Sequence, residues 1–109
     1  MQIEKSYTGK WRISDMELWD QEFVDLIEAG HLTFNDDGTG TIIFGAVNVV
    51  VDGRVESVNG AERLEFSFAG GDEGEFVCGR GWAHVSGPNM SGNIYFHRGD
   101  VSTFTAEKK

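Results

Sequence analysis

The chain has 109 residues, of which 39% are hydrophobic and 12% aromatic, so we predict one packed domain over 1–109. Eighteen Asp and Glu residues against nine Lys and Arg give a net charge of −9. This charge disfavours nucleic acid and anionic membranes as partners, because phosphate binding needs clustered cations. The lone Cys78 cannot form an internal disulfide, and no apolar run is long enough to cross a membrane. A cytoplasmic location is therefore expected.

The first predicted elements are a strand and one short helix. Apolar and polar residues alternate over 9–15, as in a strand with one buried face. The only helical pattern follows within 17–28. Apolar residues recur there on one helix face: Met16, Trp19, Phe23, Leu26 and Ile27. Ser14 and Glu17 have the spacing of a capping box, and Gly30 is a suitable helix end.

From residue 31 onward the hydrophobic period is two, which predicts strands joined by tight turns. Asn35–Gly38 is predicted to be a turn between strands at 31–34 and 41–44. A further strand over 47–57 leads to Asn59-Gly60, the clearest hairpin signal in the chain.

The register that a two-residue Asn59-Gly60 loop imposes separates two kinds of residue. One face of the hairpin becomes apolar, with the pairs Val55–Leu64 and Val51–Phe68. The other face carries opposite charges, with the pairs Glu56–Arg63 and Arg54–Glu65. Register and residue pattern agree, which supports this hairpin.

A second hairpin is predicted to turn at Gly87-Pro88. Small residues of one strand then face residues of the next strand in the pairs Ala83–Gly92, Gly81–Ile94 and Gly79–Phe96. Large side chains beside glycines suit the narrow interior of a small closed barrel. A last turn at Arg98–Asp100 leads into a final strand over 101–106.

About eight sequential antiparallel strands and one short helix predict an all-β protein. We expect an up-and-down meander that closes into a small barrel, because closure removes exposed strand edges. A two-sheet β-sandwich is the alternative. In a barrel, the apolar face of the helix is expected to cover one mouth.

The start of the chain resembles the calycin group of lipocalin-like and avidin-like barrels. Gly9-Lys10-Trp11 fits the G-x-W pattern of the first barrel strand, and a helical turn and a meander follow. The resemblance implies a barrel that holds a small ligand, with a basic residue, Arg80 or Arg98, covering the tryptophan. The candidates for closing the barrel are Trp11, Trp19, Phe23 and Arg98.

The whole chain also resembles short bacterial proteins of unknown function, and this resemblance implies no activity. The residues that carry it are Trp19-Asp20, Asp72-Glu73, Gly79-Arg80-Gly81 and His97-Arg98-Gly99-Asp100.

The candidate binding residues lie on the other face of the second hairpin: Arg80, Trp82, Tyr95 and His97. Aromatic residues beside arginine are typical of ligand and protein contacts. If this face points outward, as the alternation of apolar residues favours, it is a candidate homodimer interface. If it points into the lumen, it lines a pocket in which Arg80 holds an anionic group.

Catalytic and metal chemistry have little support. Cys78 faces His97 as a candidate dyad that Asp100 would orient, but no oxyanion hole is visible. His84 lies six residues from Cys78, about 20 Å along a strand, so three ligands do not converge on a metal. We predict no cofactor and no metal.

These observations predict a non-enzymatic binding module that holds a small apolar or mixed ligand in a calycin-like barrel. The alternative is a homodimeric interaction module that uses the Arg80/Trp82/Tyr95 face. An enzyme using Cys78 and His97 is the third hypothesis.

Overall fold

The computed structural model describes residues 3–109 as an all-β protein. Eight antiparallel strands follow one another in chain order, and β1 pairs with β8 to close a barrel. The strands are β1 Gly9–Met16, β2 His31–Phe34, β3 Thr39–Phe44, β4 Val47–Val58, β5 Ala61–Asp72, β6 Glu75–Ser86, β7 Asn89–Phe96 and β8 Val101–Lys108. The predicted up-and-down barrel is confirmed, and the sandwich alternative is wrong.

The predicted helix is present as a single turn, α1, at Gln21–Val24. Its N-cap is Asp20, whose Oδ1 accepts a hydrogen bond from the Phe23 backbone N–H at 2.9 Å. The capping box expected at Ser14 and Glu17 is wrong, because β1 continues through Met16, which pairs with β8. Ladder hydrogen bonds across the closing seam outweigh the local helical preference at these positions.

Both hairpin registers are confirmed across their full length. Asn59 and Gly60 adopt φ values of 54° and 81°, the left-handed pair that a type I′ turn requires. Glu56 and Arg63 are register partners, as expected, but the ion pair of Arg63 runs along its own strand. Arg63 forms its ion pair with Glu65, two residues away on the same face of β5.

The lumen is filled by side chains, because glycines on β6 make room for phenylalanine rings from β5. A Cβ atom at Gly81 would lie 2.5 Å from Cζ of Phe66, and one at Gly79 would lie 2.7 Å from Cζ of Phe68. These distances are far below van der Waals contact, so only glycine fits at these two positions. The interior is therefore a packed core of the kind found in proteins generally.

The barrel has two mouths that are closed by different parts of the chain. At the Tyr7 mouth, where β1 begins and β8 ends, a 3-10 turn at Lys5–Tyr7 precedes β1. At the Trp19 mouth, where β1 ends and β2 begins, residues 17–30 cross the opening and contain α1. We call residues 17–30 the mouth segment.

Candidate functional site

All four residues of the predicted aromatic face point outward from the wall formed by β5, β6 and β7. Strand alternation requires this, since Gly81 and Ile94 on the same two strands are buried in the barrel. The Arg80 guanidinium carbon lies 4.8 Å from the centre of the Tyr95 ring. Trp82 Nε1 donates a hydrogen bond to Tyr95 Oη at 3.4 Å. We call Arg80, Trp82, Tyr95 and His97 the outer patch.

Cys78 and His97 also lie side by side on this outer wall. The His97 backbone N–H donates to the Cys78 carbonyl oxygen at 2.7 Å. Within residues 3–109, no side-chain hydrogen bond joins the Cys78 thiol to the His97 ring, which a nucleophile and its base would need. The same part of the chain contains no group of three or more His, Cys, Asp or Glu side chains placed to hold a metal.

The Tyr7 mouth is sealed by polar contacts around a fully buried tryptophan. Trp11 Nε1 donates to the Tyr7 carbonyl oxygen at 3.0 Å, and Lys108 Nζ lies 4.7 Å from the centre of the Trp11 ring. Lys108 also donates to the Thr8 carbonyl oxygen. A cation over an aromatic face stabilises the packing of both groups.

The cation over Trp11 is therefore Lys108, in place of the expected Arg80 or Arg98. Arg80 covers Tyr95 on the outer wall, and Arg98 lies in the turn after β7, at the other mouth. The sequence signal for Lys108 was its place at the end of the last strand, which closure sets opposite Trp11.

An aromatic cluster plugs the Trp19 mouth. The Trp19 ring centre lies 5.1 Å from that of Phe44, 6.1 Å from that of Phe23 and 6.3 Å from that of Phe96. Phe96 in turn contacts Phe68, whose ring lies deeper in the barrel, at 5.2 Å. Two of the expected barrel-closing residues, Trp19 and Phe23, thus lie over this mouth.

The mouth segment is anchored to the barrel at the C-terminal end of α1. Val24 is fully buried, and its carbonyl oxygen accepts a hydrogen bond from the Gly45 N–H at 2.9 Å. Asp25 Oδ2 lies 2.7 Å from the Arg12 guanidinium, and Asp25 Oδ1 accepts from the Gly30 N–H. These hydrogen bonds, that from Arg12 first, hold the pKa of Asp25 below its usual value.

A cleft of about 220 Å³ opens at the Trp19 mouth beside the aromatic cluster. It is lined by Trp19, Phe23, Phe44, Val47, Asp72, Val77, Phe96 and Asp100. The lumen beneath, which shares Phe44, Val47 and Phe96 with this cleft, has no space for a water molecule. Asp72 is a carboxylate at the end of the inward face of β5, where the buried Leu64, Phe66 and Phe68 precede it.

Sequence reasoning identified the two aromatic residues of the cleft that lie on the mouth segment. It missed the five on the strands and Asp100, which precedes β8. The signal that points to Asp72 is a carboxylate that follows Leu64, Phe66, Phe68 and Gly70 on the inward face of β5. Departures from pattern of this kind concentrate at functional sites.

Exposed apolar side chains surround the Trp19 mouth. They lie on the mouth segment and at the ends of β6 and β8 that border it: Leu18, Phe23, Leu26, Ile27, Phe76 and Val101. Ile27 and Phe76 are 71% and 75% exposed. In the described part of the chain, no exposed large hydrophobic residue lies at the Tyr7 mouth. Apolar groups gathered at one end of a molecule mark a contact surface.

Comparisons with protein-family models, with curated proteins and with solved structures find no match to this chain. In residues 3–109, no helix has the length and the apolar character that crossing a bilayer requires.

Proposed function

We propose that this protein is a non-enzymatic binding module that holds a small, mainly apolar ligand at the Trp19 mouth. The observation that carries this proposal is the aromatic cleft of about 220 Å³, set within exposed apolar side chains at one end of the barrel. Small-molecule sites are concave and mostly apolar, with a few polar groups that orient the ligand.

The lining of the cleft defines the class of ligand. Trp19, Phe44 and Phe96 offer ring surfaces to an apolar body. Asp72 and Asp100 offer carboxylate oxygens, which accept hydrogen bonds. The ligand is therefore a mixed one, with an apolar part against the rings and a hydroxyl or amino group toward the carboxylates.

The ligand lies at the mouth because the deeper lumen is occupied. Phe66 and Phe68 fill the space beside the β6 glycines, and the gap under Phe44 and Phe96 is too small for water. The cation over Trp11 at the opposite mouth supports a calycin-like relationship. The binding site we propose is thus shallower than the lumen that this resemblance implies.

A titration with the neutral apolar fluorophore N-phenyl-1-naphthylamine tests the proposal. We expect saturable binding at one site, with quenching of tryptophan emission because Trp19 lines the cleft. Val77→Phe adds bulk inside the cleft, so we expect it to weaken binding about tenfold, a loss of about 1.4 kcal/mol of apolar contact.

Val85→Phe is the matched control. Val85 lies on the same strand, is half-buried like Val77 and packs on the core at the opposite end of the barrel. Binding that falls equally in both variants, or in neither, would overturn the proposal. Nuclear Overhauser contacts from the fluorophore to Trp19 and Phe96 provide a second measurement that needs no variant, and contacts elsewhere would also overturn it.

A second candidate function, homodimerisation, rests on the outward position of the outer patch. Trp82 is half-buried, with the Arg63 guanidinium carbon 4.8 Å from its ring centre, so an aromatic and cationic surface faces away from the barrel. Such residues are enriched in protein interfaces. Sedimentation velocity tests this: a dimer that Trp82→Ala converts to monomer supports it, and a monomeric wild-type protein at high concentration rejects it.

A further inference from the structure

We propose that the outer patch, together with the wall beside it, binds a phosphate group carried by a small molecule. The site is a surface depression of about 540 Å³ that shares Phe96 with the mouth cleft. It is lined by Ser67, Phe68, Cys78, Gly79, Arg80, Tyr95, Phe96, His97 and Arg98. This inference is independent of the apolar ligand proposed for the Trp19 mouth.

The charge of the depression is opposite to that of the protein. The chain carries a net charge of −9, yet Arg80, His97 and Arg98 converge here and no Asp or Glu is part of the lining. Among residues 3–109, neither arginine takes part in an ion pair with a carboxylate. Two guanidinium groups without a carboxylate partner are therefore available to an anion from solution.

The hydrogen-bonding groups of the depression are donors suited to a phosphate. The Arg80 guanidinium lies over the Tyr95 ring, with its carbon 4.8 Å from the ring centre, and it carries five N–H donors. Tyr95 Oη already accepts a hydrogen bond from Trp82, so its own proton is free to be donated. Ser67 adds a second hydroxyl, on the neighbouring strand β5. Tetrahedral oxyanions accept several such bonds at once.

The backbone at Arg98 supports a role for this side chain. Arg98 has a φ of 58° and is the third residue of a turn in which the Gly99 N–H donates to the Phe96 carbonyl oxygen at 3.0 Å. Glycine or asparagine is usual at such a position, because a left-handed conformation is unfavourable for a bulky residue. Strained backbone of this kind is common at ligand sites, where the side chain compensates for its cost.

Phosphate titrations followed by ¹H–¹⁵N spectra test the proposal, with inorganic phosphate and phenyl phosphate as probes. We expect saturable shifts at residues 67, 78–80 and 95–98, and none from sodium chloride at equal ionic strength. If phenyl phosphate binds more tightly than inorganic phosphate, the ligand is an organic phosphate whose organic part contacts the aromatic rings of the outer patch. Equal binding of the two probes identifies the phosphate group alone as the recognised part, and both outcomes support the site.

Two variants and a matched control make the test specific. Arg98→Gly is expected to weaken phosphate binding about tenfold, because a charged hydrogen bond is lost. Its melting temperature should not fall, because glycine suits the φ of this turn. Arg80→Gln should weaken binding similarly, whereas Arg54→Gln, at an exposed position on the outer face of β4, should not. Phosphate shifts that chloride reproduces, or that both variants retain at full strength, would overturn the proposal.

Discussion

The two mouths of the barrel are closed by different physical means. At the Tyr7 mouth, a fully buried Trp11 is held by a hydrogen bond to the preceding turn and lies under the Lys108 cation. At the Trp19 mouth, aromatic rings pack against one another beside an open cleft and exposed apolar side chains. At the Tyr7 mouth, a hydrogen bond and a cation hold a tryptophan that is fully covered. At the Trp19 mouth, apolar surface remains exposed to solvent.

This difference separates a fully packed end from the end at which we propose that a ligand binds. Burial and hydrogen bonding at the Tyr7 mouth contribute to folding stability, while apolar surface at the Trp19 mouth stays uncovered. Regions that bind ligands are commonly the less stable parts of a fold. Four experiments test the difference between the two mouths, and they follow in order of decreasing expected effect.

Removing the central tryptophan of each mouth should give unequal losses of stability. Trp11→Ala deletes a fully buried ring, so we expect a loss of about 3–5 kcal/mol in the free energy of unfolding by urea denaturation. Trp19→Ala deletes a half-buried ring and should cost less than half as much. Equal losses would remove the energetic distinction between the mouths.

A methyl group at Gly45 should disturb the Trp19 mouth. The added Cβ would lie 2.5 Å from the Phe23 ring, and Gly45 has a φ of 55°, so we expect Gly45→Ala to cost about 1–3 kcal/mol and to displace Phe23. Gly74→Ala is the control, because its φ is also positive, at 84°, but no atom lies within 4 Å of the added methyl. A thermal melt in which both variants lose equal stability would mean that Phe23 moves aside at no cost.

Acid should weaken the Trp19 mouth through Asp25. Because the pKa of Asp25 is lowered in the folded protein, chiefly by its hydrogen bond from Arg12, the carboxylate stabilises the fold at pH values above its ordinary pKa of 3.8. This stabilisation is lost as the pH falls through the lower, folded-state pKa. Asp25→Asn should cost about 1 kcal/mol at pH 7, and this cost should shrink as the pH falls through the folded-state pKa. Glu22→Gln, at an exposed position on α1, should show no such change with pH.

High pH should lower the stability of the opposite mouth through ionisation of Tyr7. Burial and the nearby Glu62 and Glu4 carboxylates raise the pKa of Tyr7 above its ordinary value of 10.0. The stability that this shift contributes is complete below pH 10 and is lost as the pH rises through the folded-state pKa. Tyr7→Phe should change stability by about 0.5 kcal/mol or less at pH 7 and should flatten its decline above pH 10. A decline that Tyr7→Phe leaves unchanged would assign alkaline sensitivity to another group.

Local sequence predicted the hairpins well because each register is set by a turn and by residue alternation within about twenty residues. Asn59-Gly60 and Gly87-Pro88 fix the pairs on both faces of their hairpins, and the structure has those pairs. The same alternation placed the outer patch on the outside of the wall, as favoured. Turn residues and strand alternation are local features of the chain, so they can be recognised in a single sequence.

The closures of the barrel were harder to predict because they depend on contacts between distant residues. The cation over Trp11 is Lys108, 97 positions away, and only the β1–β8 register brings the two together. The same seam extends β1 through Met16, which leaves α1 a single turn with Leu26 and Ile27 exposed. The strand residues of the cleft, such as Asp72, become neighbours of the mouth segment only once the barrel is closed.

Closure of β1 against β8 also has a consequence for the order of folding. Every other strand pair joins neighbours in the chain, and all of these except β1–β2, which the mouth segment separates, form over short loops at a small entropic cost. The seam between Trp11 and Lys108 spans nearly the whole sequence, so we expect it to form last and to set the folding rate. Variants at this seam should therefore mainly accelerate unfolding, while variants in the β4–β5 hairpin should slow folding.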